Sequence, residues 1–470
     1  MLYQNYSFEQ SQNQIFSVVK DLQIAKLLYK ANIRKGCGLS ALEMFQRLVM
    51  LVFHGKNLFR SLESKHNDHA ASKSSYYRFL SNPSFNWKKF LLLLAIRVTT
   101  ALRKLTCKSR VTVLVLDDSV LRRNRSKAVE LLAKVYDHVF HEFVRGFNLL
   151  ALGWSDGFSF IPVSFVLLSS AKLRNRYQEA DKDIDHRTNG WKARMESMMQ
   201  KPEAALRMVE SALAAGIHAD YILMDSWFTT EPFVKSLSDL GQDVIGMVKD
   251  LKQRYYYNGH LYTLPQLAKI AMDRSNNRLY RSLMVRTRKH HLPVRIVFVK
   301  NRNKKSELLY ILSTDNALSE DEIIRIYGMR WNIETFFKAS KSLLKLGREF
   351  QTRSYDSAVA HTAIVFARYR FLEWLRRQEN DPKTYGGLFF ALCEDVQDME
   401  LSDALRSLMS LFMETINGYG TEDTETIKSK VSNWIASQSR YIKGLFQNLC
   451  WEVELLLIFR LQNKRDRLIA

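Results

Sequence analysis

Residues 111–117, VTVLVLD, form an unbroken run of β-branched and apolar residues that closes on an acid. A strand with no polar alternation has no face to offer to water. It is therefore expected to lie inside a sheet covered on both sides, which is the habit of α/β proteins. ADYILMD at 219–225 repeats the pattern, again with an aspartate last, and QDVIGMV at 242–248 supplies a third such run. Between them, PEAALRMVESALAAG reads as a helix stopped by Gly216.

The remaining segments fit around these strands. HEFVRGFNLLALGW and GFSFIPVSFVLL read as two more strands after the first, giving a three-strand antiparallel meander. Residues 149–168 of this stretch are apolar enough to suggest a membrane span. Ser155-Asp156-Gly157 places a turn inside it, so a buried hairpin is expected and no membrane. The order of strands and helices is that of a ribonuclease H-like mixed sheet. Residues 1–110 read as a helical N-terminal region that binds DNA, and 111–253 as the first part of the core. Residues 254–315 read as a β-rich insertion, 316–355 as the core's last helix, and 356–470 as a helical region for DNA contact or dimerisation. The last core helix is expected to run unbroken from a capping box, Ser319 with Glu322, to Gly347.

The chain has 470 residues, and 70 Lys and Arg outnumber 48 Asp and Glu to give a net charge of +22. Such an excess favours a polyanionic partner, nucleic acid first. Four scattered cysteines without a Cys-x-x-Cys pair point to neither a disulfide framework nor a zinc site. A reducing, cytoplasmic setting fits, and the polar N-terminus carries no signal-peptide pattern.

Asp117 and Asp225 each close a buried strand, where α/β sheets place their ligands. Two neighbouring acids repel unless a cation lies between them, and hard oxygen donors suit Mg2+ or Mn2+. Either aspartate alone reads equally as the cap of the following turn. In YGMRWNIETFFKASK, Tyr327, Arg330, Glu334 and Lys341 share one helical face. By itself that stripe also reads as a salt-bridged surface. Trp331 points about 100° from Arg330 and is expected in the core. Two further clusters suit DNA contact. One is Lys73, Tyr76, Tyr77 and Arg78 on a short helix. The other is Arg288 with His290 and His291 in a basic strand or turn of the insertion.

The pattern Tyr-x2-Arg-x3-Glu-x6-Lys resembles the signature of DDE transposases of the insertion-sequence-four type. LDDS at 116–119 and LMDSWF at 223–228 resemble the motifs around its two aspartates. The resemblance implies a bacterial cut-and-paste transposase acting on the nucleoid, with Asp117, Asp225 and Glu334 as catalytic triad holding two Mg2+ or Mn2+ ions. It implies that Tyr327, Arg330 and Lys341 contact phosphates of double-stranded DNA at the terminal repeats. It further implies a hairpin intermediate, strand transfer to target DNA and a homodimer in the synaptic complex. In the doublet Asp117-Asp118 the family pattern selects Asp117, and strand alternation allows only one of the two to face the site. The family's insertion carries a tryptophan that holds a flipped base. Residues 254–313 have none and offer Tyr255, Tyr256, Tyr257, Tyr262 and Tyr280 with the two histidines for stacking.

Overall fold

The computed structural model describes residues 14–63, 71–107, 109–251, 253–273, 280–301, 307–349, 353–378 and 383–398, with isolated positions up to 437. The chain divides into two compact units, Gln14–Leu388 and a second made of Met1–Asn13 with Phe389–Ala470. In the second unit residues 389–398 are helical, and the rings of Phe389 and Phe390 meet edge to face at 5.5 Å. The rest of the expected C-terminal helical region lies outside the described residues.

The first unit is a mixed α/β structure. Among the described residues, six helices lead in: α1 (Gln14–Asp21), α2 (Ile24–Lys30), α3 (Ala41–Met50), α4 (Leu58–Glu63), α5 (Lys73–Leu80) and α6 (Trp87–Lys104). Local chemistry sets their starts. Ser40 and Glu43 form a capping box on α3, Ser72 caps α5, and Asn86 caps α6 after the Asn82-Pro83 turn.

Four strands follow: β1 (Val113–Arg122), β2 (Ala133–Asp137), β3 (Glu142–Ser155) and β4 (Phe160–Leu168). Next come α7 (Asn189–Ser197), α8 (Lys201–Ala214), β5 (Tyr221–Met224), α9 (Glu231–Asp239) and β6 (Asp243–Val248). β1 pairs antiparallel with β3 and parallel with β5, and β5 pairs parallel with β6. The 149–168 run is the β3–β4 hairpin, turned at Gly157 with φ +85°. No helix among the described residues is long and apolar enough to cross a membrane. α8 ends where expected, with Gly216 in the left-handed region at φ +82°.

The β-rich segment comprises β7 (Arg254–Tyr257), β8 (His260–Thr263), α10 (Leu264–Asp273), β9 (Tyr280–Thr287), β10 (Pro293–Lys300) and β11 (Leu308–Ser313). It extends the same sheet: β11 pairs antiparallel with β6, and the sheet reads β2-β3-β1-β5-β6-β11-β10-β9-β7-β8, with β4 beside β3. The free edge of β6 explains this, because an unpaired edge recruits a further strand.

The expected single helix from 320 is instead two, α11 (Glu320–Gly328) and α12 (Trp331–Ser342). At the junction Arg330 N–H bonds to Tyr327 C=O and Ile333 N–H to Arg330 C=O. These three-residue bonds tighten the turn without reversing it. The capping box on Ser319 forms, and Gly347, φ +77°, lies in the turn beyond α12. Last comes α13 (Tyr355–Gln378), buried from Tyr355 to Glu373 and packed on α6 and β4 inside this unit. The first unit thus holds the N-terminal helices, the sheet and α13 together.

Candidate active site

Leu116 of β1 lies opposite Met224 of β5, and each is followed by an aspartate. The parallel register therefore delivers Asp117 and Asp225 side by side. Asp225 follows the last residue of β5 as expected. Asp117 does not end its strand: β1 continues to Arg122, paired with β3, and only its pairing with β5 stops before Asp117. Asp225 also caps its own turn, its Oδ1 accepting Trp227 N–H at 3.0 Å and Phe228 N–H at 3.3 Å.

Alternation separates the doublet. Asp118 turns to the other face, where its carboxylate accepts from Lys201 Nζ at 2.8 Å and from Asn148 Nδ2 at 2.6 Å. Asp117 accepts from Arg330 Nη1 at 3.0 Å. Burial pushes its carboxyl up to about 7; the Asp225 charge adds to the rise and Arg330 opposes it. Arg330 also donates to Glu334 through Nη2, so one guanidinium bridges two of the three acids. Its plane lies 5.9 Å from the ring of Tyr327, whose hydroxyl burial pushes up to about 12. Lys341 donates to Ser119 Oγ at 2.6 Å, and burial lowers its ammonium pKa. The stripe Tyr327, Arg330, Glu334 and Lys341 thus faces β1 despite the break between the helices.

Packing holds that orientation. α12 buries Ile333, Phe336, Phe337, Ala339 and Ser340, and Phe336 meets Phe160, Phe366 and Tyr369 at 4.8–5.5 Å. Asn332 Nδ2 donates to Ser155 Oγ at 3.0 Å, tying the helix start to the end of β3. Trp331 is not core, contrary to expectation. It is 65% exposed, because the buried face of α12 lies on the far side of the helix from it.

Among the described residues no group of three His, Cys, Asp or Glu side chains stands close enough to hold a metal ion. Asp117 and Asp225 nonetheless fit a hard divalent cation: they are oxygen donors whose charges repel across a partly buried gap. Glu334 is engaged by Arg330, a cation already placed between the acids.

The other expected DNA contacts lie elsewhere. On α5, Lys73 and Arg78 are exposed and Tyr77 half-buried, whereas Tyr76 is 3% exposed and packs inward with Phe79 and Leu80. Tyr76 is therefore removed from that surface; its spacing with Phe79 and Leu80 is that of a core stripe. Arg288, His290 and His291 are exposed at the β9–β10 turn, not on a strand. Glu231 at the start of α9 anchors that turn by accepting the N–H groups of Lys289 and His290, and His291 stacks on Tyr256 at 5.1 Å. Sequence reasoning missed Lys201, which binds Asp118 and lies 4.0 Å over the ring of Trp227, beside Asp225. Nothing marks it in the sequence except its place before Pro202 at the start of α8.

Residues 48–259 match the family described as DDE superfamily endonuclease, and residues 200–370 match the family described as Transposase DDE domain. No curated protein matches the chain. Among solved structures, the Drosophila P element transposase strand transfer complex is similar at 8% identity, over 93% of this chain and 97% of that one. Its TM-score of 0.21 is too low to bear on the fold or the chemistry. Between them the two family matches take in Asp117, Asp225 and Glu334, and they support a DDE transposase, a DNA-cutting enzyme.

Proposed function

We propose that the chain is a transposase of the insertion-sequence-four type that cuts the ends of its element and joins them to target DNA. The observation that carries this is the parallel register placing Asp117 beside Asp225, with Arg330 and Glu334 delivered to Asp117 from α12. The strand order β4-β3-β1-β5-β6, with β1, β5 and β6 parallel, supports a ribonuclease H-like core. In this reading β7 to β11 are the insertion.

Asp117, Asp225 and Glu334 would hold two Mg2+ or Mn2+ ions, which when bound activate the attacking oxygen and stabilise the leaving one. The chain's own groups position the DNA. Arg330 presents a planar fork suited to a phosphate, and Lys341 a point charge held at Ser119, two strand positions from Asp117 on the same face. Tyr327 keeps its proton at neutral pH and so donates to a phosphate oxygen. A hairpin intermediate needs a ring surface for a displaced base, and the Tyr256–His291 stack offers one without a tryptophan. A homodimer holding both ends, acting on the nucleoid of a bacterial cytoplasm, completes the proposal.

The test is incubation of the full chain with its element ends, a target plasmid and Mg2+. The expected result is cleavage at the ends followed by joining. Asp117→Asn and Asp225→Ala should each reduce cleavage by more than about a thousandfold. Ends cut equally well by Asp225→Ala would overturn the site. Ends cut but never joined would reduce the protein to a nuclease.

A further inference from the structure

The β2–β3 hairpin is an arm at the edge of the sheet, and its two faces differ. Ala133, Val135 and Val144 pack inward against Val120. The outward face alternates cations and rings: Lys134 lies directly across from Arg145, and Tyr136 across from Phe143. Phe143 is 62% exposed and meets Tyr136 edge to face at 5.0 Å. Lys134 Nζ lies 4.6 Å over the Phe143 ring. Arg145 lies 4.6 Å over Tyr177, which a backbone bond to Leu132 C=O holds beside the hairpin. At the turn, Phe140 is 66% exposed beneath Arg122.

Two features of this face oppose stability in the isolated protein. Like charges directly opposite across two strands repel. The hairpin's acids do not offset that, because Asp137 and Glu142 are both paired with Arg122. Large rings, Phe143 on β3 and Phe140 in the turn, are also left in water, and exposed apolar surface invites association. One class of partner relieves both costs. An unpaired nucleic-acid strand brings phosphates for Lys134 and Arg145, and bases whose flat faces stack on Phe143 and its neighbours. A duplex relieves only the charge, since its bases are already stacked on one another.

We propose that the outward face of the β2–β3 hairpin is a binding platform for unpaired DNA, used by strands that cutting has released from the duplex. The proposal rests on the reading of the chain as a DNA-cutting enzyme, but the binding itself requires no cleavage. β1 joins the two places directly: Arg122, which pairs with the hairpin, lies five residues beyond Asp117, or about 17 Å along an extended strand.

The experiment measures binding of the full chain to a fluorescent oligothymidine and to a blunt duplex of equal length. Phe143→Ala should weaken oligothymidine binding roughly 5- to 160-fold, the range of losing one base stack, and leave duplex binding within about twofold. Phe143→Trp should restore it. Lys134→Ala with Arg145→Ala should reduce the salt dependence of oligothymidine binding by roughly 0.7 per lost phosphate contact. If Phe143→Ala binds as the parent while end cleavage persists, the platform is overturned and the DNA-cutting reading stands. If cleavage is absent while Phe143→Ala still weakens binding selectively, the platform stands and that reading falls. A dimer dissolved by Phe143→Ala, with oligothymidine binding unchanged, would make the face a contact between copies and overturn the proposal.

Discussion

Asp117 and Asp118 are neighbours with opposite fates, and a two-residue period decides between them. Asp117 meets Arg330 and the charge of Asp225, whereas Asp118 is held by Lys201 and Asn148 on the other face. Lys201 is thus the counter-ion of a second carboxylate beside the site, whose charge is the smallest of the influences on Asp117. Lys201→Met should destabilise the protein by about 1–3 kcal/mol in urea denaturation, because it leaves a partly buried carboxylate without its cation. Adding Asp118→Asn should recover at least half of that loss, since removing both partners costs less than removing one. A double variant no more stable than the single one would show that Lys201 acts through packing on Trp227 instead.

Among the described elements, α13 is buried over most of its length and bonded to several others. It carries Arg368, bonded to both oxygens of Glu349 and to backbone carbonyls of Leu48 and Val49, and Arg370, bonded to carbonyls of Leu91, Pro162 and Val163. These bonds tie α3, α6 and β4 to one helix. His361, 0% exposed, accepts Gly347 N–H at Nε2 and so fixes the turn that follows α12. Burial, then the charges of Arg123 and Arg368, hold its pKa well below the usual 6.5. The native state therefore refuses a proton that the unfolded chain accepts. Its contribution is complete above pH 6.5 and is lost as the pH falls below that value. Urea denaturation should therefore show this group's contribution falling between pH 7 and pH 5. His361→Gln should shrink that loss, and an equal loss in parent and variant would rule His361 out as its source.

For the whole molecule, a net charge of +22 should dominate the encounter with DNA that the proposed function requires. A protein touching six to ten phosphates loses about 10³–10⁵-fold in affinity between 50 and 200 mM salt. Duplex binding by this chain, followed by anisotropy across that range, should fall within those limits. A change of less than about tenfold would mean that the excess charge is spread over surfaces that never meet DNA.

The sequence by itself was enough for the chemistry that repeats at short range. Two apolar strands carrying the aspartates, the Ser319–Glu322 capping box, the Gly216 stop and the turn at Gly157 all formed, because each depends on residues within a few positions, although β1 runs past Asp117 to Arg122 along its partner β3. The spacing of Tyr327, Arg330, Glu334 and Lys341 also survived, since a tightened turn at 328–330 barely changes which way side chains point. Only the tertiary structure decided matters of partnership. Tyr76 went to the core and Trp331 to the surface because burial depends on what an element packs against, which local periodicity does not name. Strand β2 joined the edge and β7 to β11 extended the sheet because a free edge accepts whichever strand reaches it. Lys201 found Asp118 across 83 residues of chain, and the cations and rings of the β2–β3 hairpin gathered on one face through pairing register.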